Sequence, residues 1–328
     1  MTGKWPARLN ITVWHESSGE PPTWMRKKLI PPVTEGNMGL SEVTLAEVLD
    51  DAGYLTAHLG KWHLGDAAHY PENHGFDVHI GGSFWGCPPT FFYPYRGIFS
   101  RELRYVPGLP FGKEGEYLTD RLTDEALKII DRAGDRPFLL NMCFYTVHTP
   151  IEGKPDLAAY YKKKIMAGLD HDNAHYAAMH HSLDENVGRL LTKLEQRGIA
   201  DKTAIIFASD NGGFINNYKG QRVTGNKPLR SGKGSLYEGG VRIPLLIRWP
   251  AVTPTGQRCK EPVVTADIYP TILDILGLEG NAEHNAQVDG VSLKPLLKDP
   301  TASLDREALY FHYPHYYPTT SPVSAVRA

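Results

Sequence analysis

The stretch YLTAHLGKWHLG, residues 54–65, decides the reading. It opens as a run of apolar and β-forming residues and closes with Lys61 and His63 two positions apart, bracketed by Gly60 and Gly65. One reading is a strand that leaves the core, turns at the glycines and lets its first polar residues meet water. The other is a strand end that delivers two cationic or proton-carrying groups together into a cleft, where α/β proteins place their ligands.

The flanking segments supply the frame. TLAEVLDDAGY (44–54) predicts a helix, with Thr44 and Glu47 in a capping box, Leu45, Val48 and Leu49 on one face and Gly53 as its stop. YLTDRLTDEALKIIDRAG (117–134) predicts a second amphipathic helix facing inward through Leu118, Leu122, Ala126, Ile129 and Ile130. RPFLLNMCFYTVHTP (136–150) is a continuous apolar run, the mark of a parallel strand buried on both faces. A third helix follows at 175–198, with Tyr176, Met179, Leu183, Val187, Leu190 and Leu194 at helical spacing. TAIIFASDNGG (203–213) and IPLLIRWP (243–250) predict strands, and ADIYPTILDILGL (266–278) a helix. Helices alternating with strands imply a mostly parallel sheet covered on both faces, a three-layer α/β sandwich. Residues 71–110, rich in Gly, Pro and aromatics, read as a long surface excursion near a cleft. The tail LYFHYPHYYPTTSP (309–322) reads as irregular surface.

Bulk composition narrows the function classes. A 41% hydrophobic and 22% charged content over 328 residues is that of a globular chain. A formal net charge of -2 gives no electrostatic argument for nucleic acid or an acidic membrane. No apolar run reaches the length of a membrane span, and the first ten residues lack a signal-peptide core. Cys87, Cys143 and Cys259 are too few and too scattered for a disulfide framework or a metal motif.

Three strands finish alike. After their apolar runs come Lys61 and His63, then His148 in VHTP, then Asp210 and Asn211 in SDNGG. The carboxyl ends of parallel strands share one edge, so these side chains are expected to converge. Each alone has a plain explanation: His148 as a turn residue, Asp-Asn-Gly-Gly as turn chemistry. A carboxylate beside an amide oxygen is also what a hard cation such as Ca²⁺ selects. Lys233, between glycines in SGKGSLYEGG, is either a flexible surface lysine or a group able to approach an oxyanion closely.

These pieces together resemble the sulfatases, formylglycine-dependent sulfuric ester hydrolases of the alkaline phosphatase superfamily. The matching stretches run in family order: TGKWPARLNIT, GYLTAHLGKWHLG, HGFD, FYTVHTP, ASDNGG, GKGSLYEGGVRIPLLIRWP, DIYPTILDILG and DGVSLKPLL. The resemblance implies an alkaline-phosphatase-like fold and hydrolysis of sulfate esters, with a sulfated small molecule or glycan as substrate. By it, Asp210 and Asn211 are two ligands of a Ca²⁺, Lys61 and Lys233 grip the sulfate oxygens, His63 partners the formylglycine hydroxyl, and His148 stands at the leaving oxygen. Relatives are often exported, which implies a periplasmic or extracellular site.

The pattern also departs from the family. None of the cysteines, in WGCPPT, NMCFYT and QRCKEP, stands in a Cys/Ser-x-Pro/Ala-x-Arg motif, and no aspartate pair on a first strand precedes Thr2. The expectation is therefore an α/β domain over 1–310 lacking the first strand, with 311–328 beginning the connection to an absent small antiparallel domain, and a chain inactive alone. Without their counter-charges, the two lysines and two histidines are expected to show depressed pKa values and weak metal binding. A phosphomonoester or phosphonate ester hydrolase of the same superfamily and a non-catalytic anion- or glycan-binding remnant are the alternatives. In the last, the aromatics from Phe84 to Tyr95 would stack on sugar rings.

Overall fold

The capping box at Thr44 closes as expected around α1 (Leu45–Asp51): the Glu47 amide donates to Thr44 Oγ1 at 3.2 Å, and the Thr44 amide donates to Glu47 Oε2 at 2.7 Å. The chain turns at Gly53, in the left-handed region, and enters β1 (Leu55–Gly60). The computed structural model describes residues 1–328. After β1 come β2 (Val78–Ile80), a hairpin of β3 (Arg96–Phe99) and β4 (Glu102–Tyr105), α2 (Leu118–Ala133) and β5 (Phe138–Cys143). A parallel sheet of order β2-β1-β5 forms, with Leu59 level with Ile80 on one side and Met142 on the other.

Alternation along these strands divides the core into two layers. Ala57 and Leu59, with Leu140 and Met142 beside them, pack against Ala126 and Ile129 of α2. On the other face, Leu139 meets Leu45, Val48 and Leu49 of α1 together with Tyr269 and Leu273, and also the cluster of Ala46, Trp62 and Phe76. All five apolar residues expected on the inner face of α2 are buried. Helices on both faces of a parallel sheet confirm the α/β sandwich.

The second half continues with α3 (Pro155–Lys162), α4 (Ala174–Gln196), β6 (Ile205–Ala208), a small hairpin of β7 (Asn217–Tyr218) and β8 (Gln221–Arg222), α5 (Glu238–Val241) and β9 (Leu245–Arg248). Then come α6 (Ile268–Leu276), α7 (Ala282–Asn285), α8 (Lys294–Lys298), β10 (Leu309–Tyr313) and β11 (Val323–Arg327). Four details differ from the sequence reading. β6 pairs antiparallel with β9 rather than joining the parallel sheet, so the apolar run of β5 is half-buried along its whole length, with β1 on one edge.

In α4 the buried stripe is Ala178, Met179, Ser182, Asn186 and Leu194; of the expected apolar set, Met179 and Leu194 are buried and Tyr176, Leu183, Val187 and Leu190 are half-buried. Polar contacts across the α2–α4 seam select it: Asn186 Nδ2 donates to Asp120 Oδ1 at 2.7 Å and to the Ser182 carbonyl at 2.7 Å. Residues 71–110 are only in part a surface excursion: the β3–β4 hairpin is largely exposed, with Ile98 70% exposed. Phe91, Tyr95, Val106 and Leu109 instead build a core cluster with Tyr117, Leu118 and Leu122, while Phe84, Phe92 and Tyr93 are half-buried. The tail is not irregular: β10 and β11 form an antiparallel ribbon in which Leu309 is buried. In both cases aromatic residues without a visible period find partners far along the chain.

Candidate functional site

Residues 61–65 lie beyond the end of β1, with His63 in the left-handed region at φ +60°. Trp62 points inward, 5% exposed, with its indole N–H donating to the His69 carbonyl at 2.8 Å. Lys61 and His63, on either side of it, are half-buried. Two backbone bonds fix their positions, Lys61 N–H to the Cys143 carbonyl at 2.7 Å and His63 N–H to the Ser83 carbonyl at 2.9 Å. Gly60 has φ +92°, and a Cβ there would lie 2.0 Å from the Cys143 carbonyl oxygen, so no other residue fits.

Because Gly60 is level with Cys143 in the parallel register, the turn after β5 carries His148 to the same edge. Its Nδ1 lies 3.1 Å from the Thr149 carbonyl and 3.0 Å from Thr149 Oγ1, which leaves Nε2 without a hydrogen-bond partner inside the chain.

The other half of the site rests on loops. Gly212 N–H donates to the Gly240 carbonyl at 2.9 Å, and Lys233 N–H donates to the Gly213 carbonyl at 3.1 Å. The segment carrying Asp210 and Asn211 is thus tied to the loop carrying Lys233. Packing there is close enough to require glycine: a Cβ on Gly212 would meet the Gly239 carbonyl oxygen at 1.9 Å.

The charges of the two halves act on one another. His148 is held well below the usual imidazole range, first by burial and then by the charges of Lys233 and Lys61. Lys233 is pushed down to about 8 by burial and by Lys61, with Asp210 acting in the opposite sense. His63 is lowered by burial, a shift that its hydrogen bond to Glu16 opposes and Lys61 reinforces. The expected depression thus holds for His63, His148 and Lys233, with desolvation ahead of mutual repulsion.

Sequence reasoning missed Glu16. Its Oε2 lies 2.6 Å from His63 Nε2, while its other oxygen accepts from the Gly86 amide at 3.2 Å and lies 3.4 Å from the Arg104 guanidinium. Burial raises the Glu16 carboxyl, but the His63 hydrogen bond and charge and the Gly86 amide outweigh it and hold it at about 2. A carboxylate only accepts, so His63 Nε2 carries the proton and Nδ1 is the ring's unengaged nitrogen. Gly86 makes room for that ring, since a Cβ there would sit 2.4 Å from His63 Cε1. No local signal marks Glu16, because its partner is 47 residues away.

Cys87 is buried beside Arg104, its thiol pushed up by burial, and Cys143 is raised to about 11, so neither is a thiolate at neutral pH. Asp210 and Asn211 contribute a carboxylate and an amide oxygen, fewer donors than the ~6–8 oxygens a hard divalent cation collects. No group of three or more His, Cys, Asp or Glu side chains is placed to hold a metal. Two lysines and two imidazoles whose charges act on one another are chemistry that suits an oxyanion.

Comparison with known proteins agrees with this chemistry. Residues 15–278 match the Sulfatase family model, and residues 232–328 match the model described as N-sulphoglucosamine sulphohydrolase, C-terminal. Steryl-sulfatase of Mus musculus is 31% identical over 356 residues, covering 87% of this chain and 55% of that protein. A sulfatase of Formosa agariphila is 38% identical over 213 residues, covering 61% of this chain and 37% of that protein. The solved structure of Ps i-CgsB in complex with k-i-k-neocarrahexaose superposes with a TM-score of 0.74 at 29% identity, covering 94% of this chain and 66% of that one. The chain therefore spans about half the length of these curated relatives. From the family match over most of its residues and the shared fold, the chain belongs to the sulfatase family, within the alkaline phosphatase superfamily.

Proposed function

We propose that the hollow between Lys61 and Lys233 binds the sulfate group of a sulfate ester, and that the complete protein hydrolyses that ester. What supports this reading is the joint action of the Lys61 and Lys233 charges on His148, together with the backbone tie of the Lys233 loop to the segment after Asp210 and Asn211. Sulfate esters resist attack until the charge on their oxygens is neutralised, and cations fixed in a dehydrated cleft are the usual means. Relatives named as sulfatases, and a structural neighbour solved in complex with k-i-k-neocarrahexaose, support a sulfated small molecule or glycan as substrate.

In this reading Lys61 and Lys233 neutralise the sulfate oxygens. His148 Nε2, neutral in the free site, gains a proton once the anion offsets the lysine charges, and then stands ready to protonate the leaving oxygen. His63, held by Glu16, orients the opposite wall. Sulfatases generally use a metal ion and a formylglycine nucleophile. Asp210 and Asn211 are assigned as two oxygen donors toward a hard cation such as Ca²⁺, but they do not complete its shell, and no cysteine here stands in a formylglycine motif. No step is routed through either group.

The test is sulfate binding by calorimetry. Lys233→Ala and Lys61→Ala are each expected to weaken inorganic sulfate by about 10- to 100-fold, the loss of one charge-assisted hydrogen bond. Unchanged affinity in both variants overturns the reading.

A further inference from the structure

One feature next to the hollow is not used by sulfate recognition. Trp14 stacks on Trp24 with centroids 6.2 Å apart and rings 20° from parallel, and Tyr317 meets Trp14 edge-on at 5.7 Å. Trp24 remains 48% exposed. This cluster is joined to the site at both ends. Trp14 lies two residues before Glu16, the partner of His63, and Tyr317 covers Gly234, whose Cβ position would collide with its ring. Thr319 Oγ1 donates to the Lys233 carbonyl at 2.6 Å, and His315 Nε2 lies 2.8 Å from Thr12 Oγ1, so the tail is pinned over the same edge.

Beside Trp24 runs a cationic stretch, Arg26, Lys27 and Lys28, all exposed. Arg26 reaches Glu20 only at 3.4 Å, and Lys27 lies over the Tyr316 ring at 5.1 Å. Positive charge here is scarcely neutralised by the chain itself.

We infer that Trp14, Trp24 and Tyr317, with Arg26, Lys27 and Lys28, form a subsite for the neighbouring rings of a sulfated oligosaccharide whose reacting sulfate lies between Lys61 and Lys233. The inference rests on the sulfate reading of that hollow. Flat indole faces present a large rigid contact area at little conformational cost, suited to the apolar faces of pyranose rings. The adjacent cations match a ligand carrying charge on more than one ring, which a mono-sulfated aryl or sterol ester lacks. The exposed Leu29, Ile30 and Val33 beyond the cations offer a membrane surface as the competing partner.

Calorimetry with the chain separates these outcomes, using a sulfated galactan hexasaccharide, its desulfated counterpart and 4-nitrophenyl sulfate as probes. The hexasaccharide is expected to bind about tenfold or more tightly than 4-nitrophenyl sulfate. Trp24→Ala, with Trp24→Phe as the retained-ring control, is expected to remove about three- to tenfold of that advantage while leaving 4-nitrophenyl sulfate unchanged. Replacing Arg26, Lys27 and Lys28 by Ser is expected to flatten the salt dependence of hexasaccharide binding. Equal affinity for hexasaccharide and 4-nitrophenyl sulfate, or Trp24→Ala without effect, overturns the subsite and leaves the sulfate reading standing. Binding of hexasaccharide through Trp24 with no binding of 4-nitrophenyl sulfate overturns the sulfate reading and keeps the subsite. Co-sedimentation with phosphatidylglycerol vesicles in place of hexasaccharide binding assigns the patch to a membrane and overturns the inference.

Discussion

The two walls of the proposed hollow are built differently. Lys61 and His63 follow the end of β1, and His148 stands in the turn after its parallel partner β5, with Trp62 anchoring the first segment in the core. Asp210 and Asn211 follow β6, and their segment is joined to the Lys233 loop by backbone hydrogen bonds through Gly212, Gly213 and Gly240 and by the Asn226 side chain. The first wall draws its position from the same apolar burial that stabilises the domain. The second depends on close backbone approach, which only residues without a Cβ permit. Stability and site geometry are thus coupled strongly on one side and weakly on the other.

This contrast is broken or sharpened first by a pair of substitutions. Trp62→Ala, which empties a buried indole site, is expected to cost about 3–5 kcal/mol in urea unfolding. Gly212→Ala is expected to cost about 1–3 kcal/mol, yet to weaken sulfate binding about tenfold by displacing the Lys233 loop. If Gly212→Ala leaves sulfate affinity intact, the loop-borne wall is not held as described.

Glu16 offers a second, smaller test. In Glu16→Gln the His63 titration followed by NMR is expected to move to lower pH, because an opposing negative charge is gone while burial and Lys61 remain. The same variant tests stability. A carboxyl held at about 2, against 4.5 when unfolded, contributes stability fully present above pH 4.5 and lost as pH falls toward 2. That acid-side loss is expected to diminish in Glu16→Gln, and a wild-type acid limb in the variant would sink the assignment.

The smallest effect is proton linkage. In the free site His148 is held low by burial and by both lysines, and an arriving anion reverses the charge part of that shift. Sulfate binding near neutral pH is therefore expected to take up a fraction of a proton, at most about one, read from calorimetry in buffers of different ionisation enthalpy. Proton release on binding would show that His148 does not face the anion.

Local sequence patterns carried the first wall well. The capping box at Thr44, the inner face of α2 and the glycines flanking Lys61 are short-range signals, and each forms as read. They also placed the polar residues at strand ends. The stripe of α4 was not legible, because Asn186 is drawn inward by Asp120, 66 residues away. Phe91 and Tyr95 were misread as surface because their partners, Tyr117 and Leu118, lie in another element.

The amino-acid sequence by itself determined the α/β elements, the turns after each strand and the residue types proposed to meet an anion, since periodicity, capping and glycine chemistry act over a few residues. Only the tertiary structure decided that β6 pairs with β9, that Glu16 holds His63 and that Trp14, Trp24 and Tyr317 gather beside Lys233. Those contacts span tens to hundreds of residues, and their energy exists only once the core has set both partners in place.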